Sequence, residues 1–135
     1  MLKKTEKIIQ NLAKHYALKV VMLFGSEAKG KARPGSDIDL AILANPSFYD
    51  KKFSDFNFDL MRAQEAEHRE IEVVPISNQN LLLLFNIFND GRPLYIADPQ
   101  EYYRLCNWAR ISYEESQRFF RGRQHLLEQR IGRLK

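Results

Sequence analysis

The stretch LFGSEAKGKARPGSDIDLAIL, Leu23 to Leu43, sets a Gly-Ser pair at the end of one apolar run and two aspartates, Asp37 and Asp39, at the mouth of the next. Ionised carboxylates are costly to hold beside a core unless a cation meets them. From Asp37 to Leu43 the residues alternate, so a strand here sends Ile38, Leu40 and Ile42 to one face and Asp37, Asp39 and Ala41 to the other. The two acids then project side by side, and like charges so placed raise each other's cost of ionisation unless a divalent cation lies between them. Mg2+ suits the position, because it is a hard ion commonly held by one or two protein carboxylates together with substrate phosphates.

A seat for such phosphates lies just upstream. Lys19 to Phe24, β-branched at Val20 and Val21, reads as a buried strand stopped by Gly25. Gly25 permits a sharp turn and a close approach of backbone to ligand, and Ser26 opens a short helix whose first amides attract anions. Gly30, Pro34 and Gly35 then break the basic segment into a turn, where Lys29 and Arg33 are either triphosphate contacts or solvated loop cations. A two-metal site asks for a third carboxylate. Glu72 is the candidate, since it interrupts the apolar run of a third strand, Ile71 to Ile76; Glu70 shares its face but sits at the strand's entrance, where water solvates it.

Working outward, Ile8, Leu12 and Tyr16 recur at helical spacing and predict a helix over Lys3 to Tyr16. A second helix is expected from Phe53 to about Glu67, with Phe53, Phe56, Leu60 and Ala63 inward. Another covers Asn80 to Asn89, capped by Ser77 or Asn78 and closed by a left-handed Gly91. Leu94 to Ile96 reads as a short edge strand demoted by Pro93. Asp98-Pro99 opens a last helix whose stripe is Tyr102, Leu105, Cys106, Ala109, Tyr113 and Phe120, with an interruption expected at Gly122. The fold class read from this order is α/β, a small mixed sheet of three to four strands flanked by helices, with a C-terminal helical extension. Residues 1–98 form the domain, and 99–135 the extension that packs on the core or on a partner.

Composition narrows the function. The 135 residues, 44% of them apolar and 28% charged, suit one folded domain and leave no room for a second. No stretch approaches the ~18 apolar residues of a membrane span. With no leader-like segment at the start, the chain reads as cytoplasmic. Cys106 is single, so neither a disulfide framework nor a thiolate zinc site is expected. The net charge of +4 is unevenly spread: from Tyr102 onward eight Lys or Arg face three Glu, while the body before it carries 13 basic and 14 acidic residues. His15, His68 and Trp108 are assigned to the surface or to packing.

Gly25-Ser26, ten intervening residues and Asp37-Ile38-Asp39 resemble the signature of the DNA-polymerase-β-like nucleotidyltransferase superfamily. Phe24-Gly25-Ser26-x-Ala28-x-Gly30, Ser36-Asp37-Ile38-Asp39-Leu40 and Gly91-x-x-Leu94-Tyr95 are similar to its minimal nucleotidyltransferase branch, over roughly Val20 to Ile96. The resemblance implies transfer of a nucleoside monophosphate, usually from ATP, to a hydroxyl. It assigns the triphosphate to Gly25 and Ser26 and two Mg2+ ions to Asp37, Asp39 and Glu72. The chain departs from the family at Glu72, where Asp is commoner.

With no further acceptor domain, the chain is most similar to the stand-alone branch, which looks like the MNT antitoxins encoded beside HEPN ribonuclease toxins. The implied acceptor is a tyrosine of that partner in a hetero-oligomer. Two alternatives stand beside this reading, an antitoxin that neutralises its partner by binding alone and a nucleotidyltransferase acting on a small molecule such as an antibiotic. Nucleic acid is not an expected partner, since no recognition motif accompanies the basic tail.

Overall fold

The computed structural model describes residues 1–134, with side chains through Gly132. Four strands, β1 (Val20–Phe24), β2 (Ile38–Leu43), β3 (Ile71–Pro75) and β4 (Arg92–Ile96), form one mixed sheet in the order β3-β2-β1-β4. β1 runs antiparallel to β2 and β4, whereas β2 and β3 are parallel. The two middle strands are the apolar ones: Val20 to Leu23 and Leu40 to Ile42 are all buried. The edges carry the residues that suit edges. Pro93 of β4 lies opposite Met22 beside a register irregularity, and Pro75 closes β3.

One face of the sheet is covered by α1 (Lys3–His15) and by three short helices, α3 (Pro46–Lys51), α4 (Phe53–Asp59) and α5 (Met61–Glu67). Ile9, Val21, Leu23, Ile38, Leu40, Ile42, Phe48 and Phe56 make this main core. The rings of Tyr16 and Phe48 each meet Phe56 edge-on, with centroids 5.6 and 5.7 Å away. The opposite face holds a smaller core of Val20, Met22, Ala41 and Ile87, covered by α6 (Leu81–Asp90) and α7 (Pro99–Leu134).

The structure redraws several expected elements. The stretch expected as one helix from Phe53 to Glu67 is two, divided at Leu60, and α3 precedes them where only a strand stop was read. α6 is capped not by Ser77 or Asn78 but by Asn80, whose Oδ1 accepts from the Leu83 amide at 3.1 Å. Gly91 is not left-handed: its φ is −77°, and the need for glycine is steric, since a Cβ there would fall against the carbonyls of Ile87 and Leu23. His68 instead takes the left-handed position, ending α5 with φ 54°. Glu72 is exposed on an edge strand, so the penalty expected for an acid in a buried run does not arise.

α7 runs through Gly122 without a break for 36 residues, about 54 Å at 1.5 Å per residue. Its first half packs on α6, where Phe85 and Tyr113 stack at 4.3 Å and Ala109 is buried. From Arg118 to Gly132 every residue is exposed, Phe120 included, so the stripe leaves the core before reaching it. Cys106 faces a crevice of about 160 Å3 between α6 and α7.

These glycines separate in a stability measurement. Gly91→Ala is expected to destabilise by about 1–3 kcal/mol, the cost of forcing atoms into an occupied space. Gly122→Ala, with nothing within 4 Å of the added carbon, is expected to leave the urea midpoint unchanged or raised and to increase helical circular dichroism.

Candidate active site

Core packing decides where the acids stand. With Ile38, Leu40 and Ile42 committed to the main core, Asp39 must face the other way. It does so at the start of β2, two residues before the helices on that face bury Ala41. The antiparallel register pairs Asp39 with Phe24, the last residue of β1, and the parallel register pairs it with Glu72. Asp37 is exposed one residue before β2 begins, not within it.

Gly25 follows Phe24 directly, with φ +73°, and opens the four-residue helix α2 (Gly25–Ala28). A Cβ at Gly25 would run into Oδ2 of Asp39 and come within 3.3 Å of its Cγ. Glycine is required twice over, by the backbone angle and by the carboxylate lying against its Cα. The structure thus brings Gly25, Asp39 and Glu72 to one end of three adjacent strands, with Ser26 in the first turn of α2, where amides lack partners within the helix.

Electrostatically the acids are uncompensated. Among the described residues none of Asp37, Asp39 and Glu72 enters an ion pair. The Asp39 carboxyl is pushed above its ordinary value by burial, then by the charge of Glu72 and then by that of Asp37. Among the described residues, no three acid, His or Cys side chains are already gathered as a metal cage. The donors are all hard oxygens beside a backbone cradle that a side chain would fill, a set that fits Mg2+ and a polyphosphate.

Two residues near the site had no place in the sequence reading. Glu27, inside the otherwise basic segment from Ser26 to Gly35, pairs with Arg69: Nη2 lies 2.8 Å from Glu27 Oε2, close but not aligned as a hydrogen bond. Arg69 Nε donates to the Ser36 carbonyl at 2.7 Å. The second Glu27 oxygen accepts from the Met1 nitrogen. Burial pushes Glu27 up, but the hydrogen bond from the Met1 nitrogen and the nearby positive charges of that nitrogen and of Arg69 outweigh it and hold the carboxyl below its usual range. A lone acid in a basic loop was the available signal, since it asks for a counter-ion.

The polymerase beta nucleotidyltransferase family model matches residues 6–100. The chain belongs to that family. No curated protein matches it by sequence. Solved structures do match: a toxin–antitoxin structure with AMP-PNP aligns at a TM-score of 0.67 and 22% identity, covering 91% of this chain and 95% of that one. A complex of tri-AMPylated Shewanella oneidensis HEPN toxin with MNT antitoxin aligns at 0.64 and 21% identity, covering 95% and 97%. A MntA–HepT toxin–antitoxin structure aligns at 0.63 and 20%, covering 94% and 97%. These proteins share the fold.

The raised Asp39 carboxyl gives a stability prediction with a definite sign. A carboxylate with a folded value above its unfolded one costs stability where it is charged, and that cost vanishes once both states are protonated. Asp39→Asn is therefore expected to raise the thermal midpoint of the ligand-free protein at pH 7. The gain should shrink as pH falls through the raised value and be gone below 3.8, the ordinary value. A midpoint at pH 7 unchanged or lowered by the substitution would count against the uncompensated site.

Proposed function

We propose that the protein is a metal-dependent nucleotidyltransferase that moves AMP from ATP to a hydroxyl, a tyrosine of a HEPN-type ribonuclease toxin, and thereby acts as its antitoxin in the cytoplasm. The observation that carries this reading is the meeting of Gly25, Asp39 and Glu72 at one end of the sheet. Family membership supports the reaction class. The partner is supported by the fold shared with toxin–antitoxin structures, one of which has AMP-PNP and another an AMPylated toxin.

In this proposal Gly25 and the α2 amides seat the triphosphate, with Ser26 beside them. Asp37, Asp39 and Glu72 would hold two Mg2+ ions, which when bound neutralise charge on the phosphates. Asp39 and Asp37 orient the nucleotide. Glu72, exposed on the edge strand, faces the acceptor side. The acceptor oxygen bonds to the α-phosphorus as the bond to the bridging α,β oxygen breaks; pyrophosphate leaves, and the hydroxyl proton passes to a site carboxylate. The work done is positioning and charge stabilisation.

The proposed division is a catalytic domain over 1–98 and a helical extension over 99–135. The proximal half of α7 belongs to the core. Its distal half presents Phe119, Phe120, Leu126, Leu127 and Ile131 to solvent, flanked by Arg118, Arg121, Arg123 and Arg130 with only Glu128 to offset them. A second copy would bring like charges together, so the fitting occupant is an acidic partner surface with an apolar groove.

Asp37→Asn with Asp39→Asn is expected to cut transfer from α-labelled ATP by about a hundredfold or more, and intact mass should show no AMP added to the co-expressed partner. Survival of cells protected by that inactive double variant would instead favour neutralisation by contact alone. Removing residues 118–135 is expected to leave the thermal midpoint within a few degrees while weakening partner binding at least about tenfold in titration calorimetry. Binding retained by the truncated chain would place the interface elsewhere.

A further inference from the structure

Three chain segments build the candidate site, and each is locally weak in a different way. α2 is a single turn of four residues. Lys29 to Gly35 is a mostly exposed loop with left-handed glycines at both Gly30 and Gly35; its start is bonded to α2, Lys31 N to Ser26 O at 2.9 Å and Gly30 N to Glu27 O at 3.3 Å, while towards its end the only turn bond among the described residues is Ser36 N to Arg33 O at 3.0 Å. β3 is an edge strand. Each segment carries part of the proposed machinery: Gly25 and Ser26, then Asp37, then Glu72. Ordering them relative to one another opposes backbone entropy.

One side chain meets the first of these segments, reaches the residue that follows the second, and stands two residues before the third. Arg69 precedes Glu72 by three residues. Its Nη2 faces Glu27 on α2 at 2.8 Å, and its Nε donates to the carbonyl of Ser36, the residue before Asp37, at 2.7 Å. Both ends are largely shielded, with 12% of the Arg69 side chain and 10% of the Glu27 side chain exposed, so water competes weakly for the charges. Alongside it the Ile38 amide donates to the Glu70 carbonyl at 2.8 Å, which joins the loop exit to the β3 entrance.

We propose that Arg69 is a positioning residue of the site: its planar guanidinium fixes the phosphate seat on α2, the loop ending in Asp37, and the approach to Glu72 as one rigid unit. A guanidinium can do this because its nitrogens diverge in a fixed fork, whereas a lysine ammonium on a flexible stem satisfies one end at a time. Arg69 does not touch nucleotide or acceptor; it acts through Ser36 and Glu27. The contacts stand by themselves, and their catalytic consequence rests on the nucleotidyl-transfer reading above.

The test compares Arg69→Gln, Arg69→Lys and Glu27→Gln with wild type in two assays. In the ligand-free protein, amide hydrogen exchange over residues 30–37 is expected to speed up about tenfold in Arg69→Gln, with the α6–α7 amides unchanged. In the transfer assay the same variant is expected to lose about 10–100-fold in kcat with KM for ATP within about threefold, and to need more Mg2+ for half-maximal rate. Arg69→Lys should fail to restore either quantity, and Glu27→Gln, which keeps the Ser36 contact, should fall between. Exchange and Mg2+ requirement at wild-type levels in Arg69→Gln, or full function in Arg69→Lys, overturns the proposal. Should Arg69→Gln fail to fold, Glu27→Gln decides on the same readouts. A wild-type protein that transfers no AMP sinks the nucleotidyl-transfer reading, and the exchange measurement then still decides the brace.

Discussion

Asp39 and Glu72 meet at the end of a small sheet, with Asp37 just outside it, because the apolar register of β2 turns Asp39 away from the main core. Each of Ile38, Leu40 and Ile42 is fully buried, and such a side chain contributes about 1.5–3 kcal/mol by leaving water. Slipping β2 by one residue would turn all three toward the other face and put Asp39 into the main core. Against this, two unit charges near a protein surface repel by about 4 kcal/mol at 4 Å, and by about 1 in bulk water. Burial of the three aliphatic side chains exceeds that repulsion, so the fold holds Asp39 beside Glu72 and within reach of the Asp37 charge. The raised Asp39 carboxyl is the residual cost of the arrangement. Gly25 then becomes obligatory, since the same register lays the Asp39 carboxylate on its Cα.

Much of this was legible in the residues themselves. The alternation from Asp37 to Leu43 determines which side chains the core takes, and Gly25 after an apolar run marks a strand end; both are local patterns, and both elements lie where the patterns put them. What the residues could not show is lateral order. Nothing in Ile71 to Pro75 states that the strand is an edge, so Glu72 read as an acid in a buried run when it is exposed. Gly122 looked like a break because glycine is a poor helix former, yet one glycine costs only about 1 kcal/mol among strong formers, and α7 passes through it. Gly91 was assigned a backbone reason when its reason is tertiary, the carbonyl of Leu23 on another element. Arg69 and Ser36 are 33 residues apart and meet only once the parallel β2–β3 pair has formed.

The charge imbalance read from composition has a structural counterpart. The near-neutral body folds around the sheet, and the basic surplus falls on α7, whose distal half leaves the core. An isolated helix of some 12–15 residues is marginal in water. The distal turns are therefore the part of the chain with least support from its own core, and they carry five large exposed apolar side chains, Phe119, Phe120, Leu126, Leu127 and Ile131. A helix that is amphipathic beyond its own domain gains most from a surface supplied by another molecule.

The two acids nearest the cradle illustrate how one small domain treats like groups in opposite ways. Glu27 is met by a guanidinium and an amino nitrogen, and its carboxyl is held low; Asp39 is half-buried and faces two further acids, and its carboxyl is held high. Compensation goes to the carboxylate that ties α2 to the loop and to β3, so that the frame stays rigid through ordinary pH. Among the described residues no such compensation reaches the carboxylates at the strand ends, where an arriving divalent ion and polyphosphate would relieve the repulsion. If every acid were neutralised internally, the frame would be as firm but would offer a cation nothing. Were every acid left bare, the loop carrying Asp37 would lack the one contact to Arg69 that draws it against both α2 and the β3 entrance. The division of charge between Arg69 and the strand ends is thus what, in the proposed reading, would let a sheet of four short strands present a preorganised site.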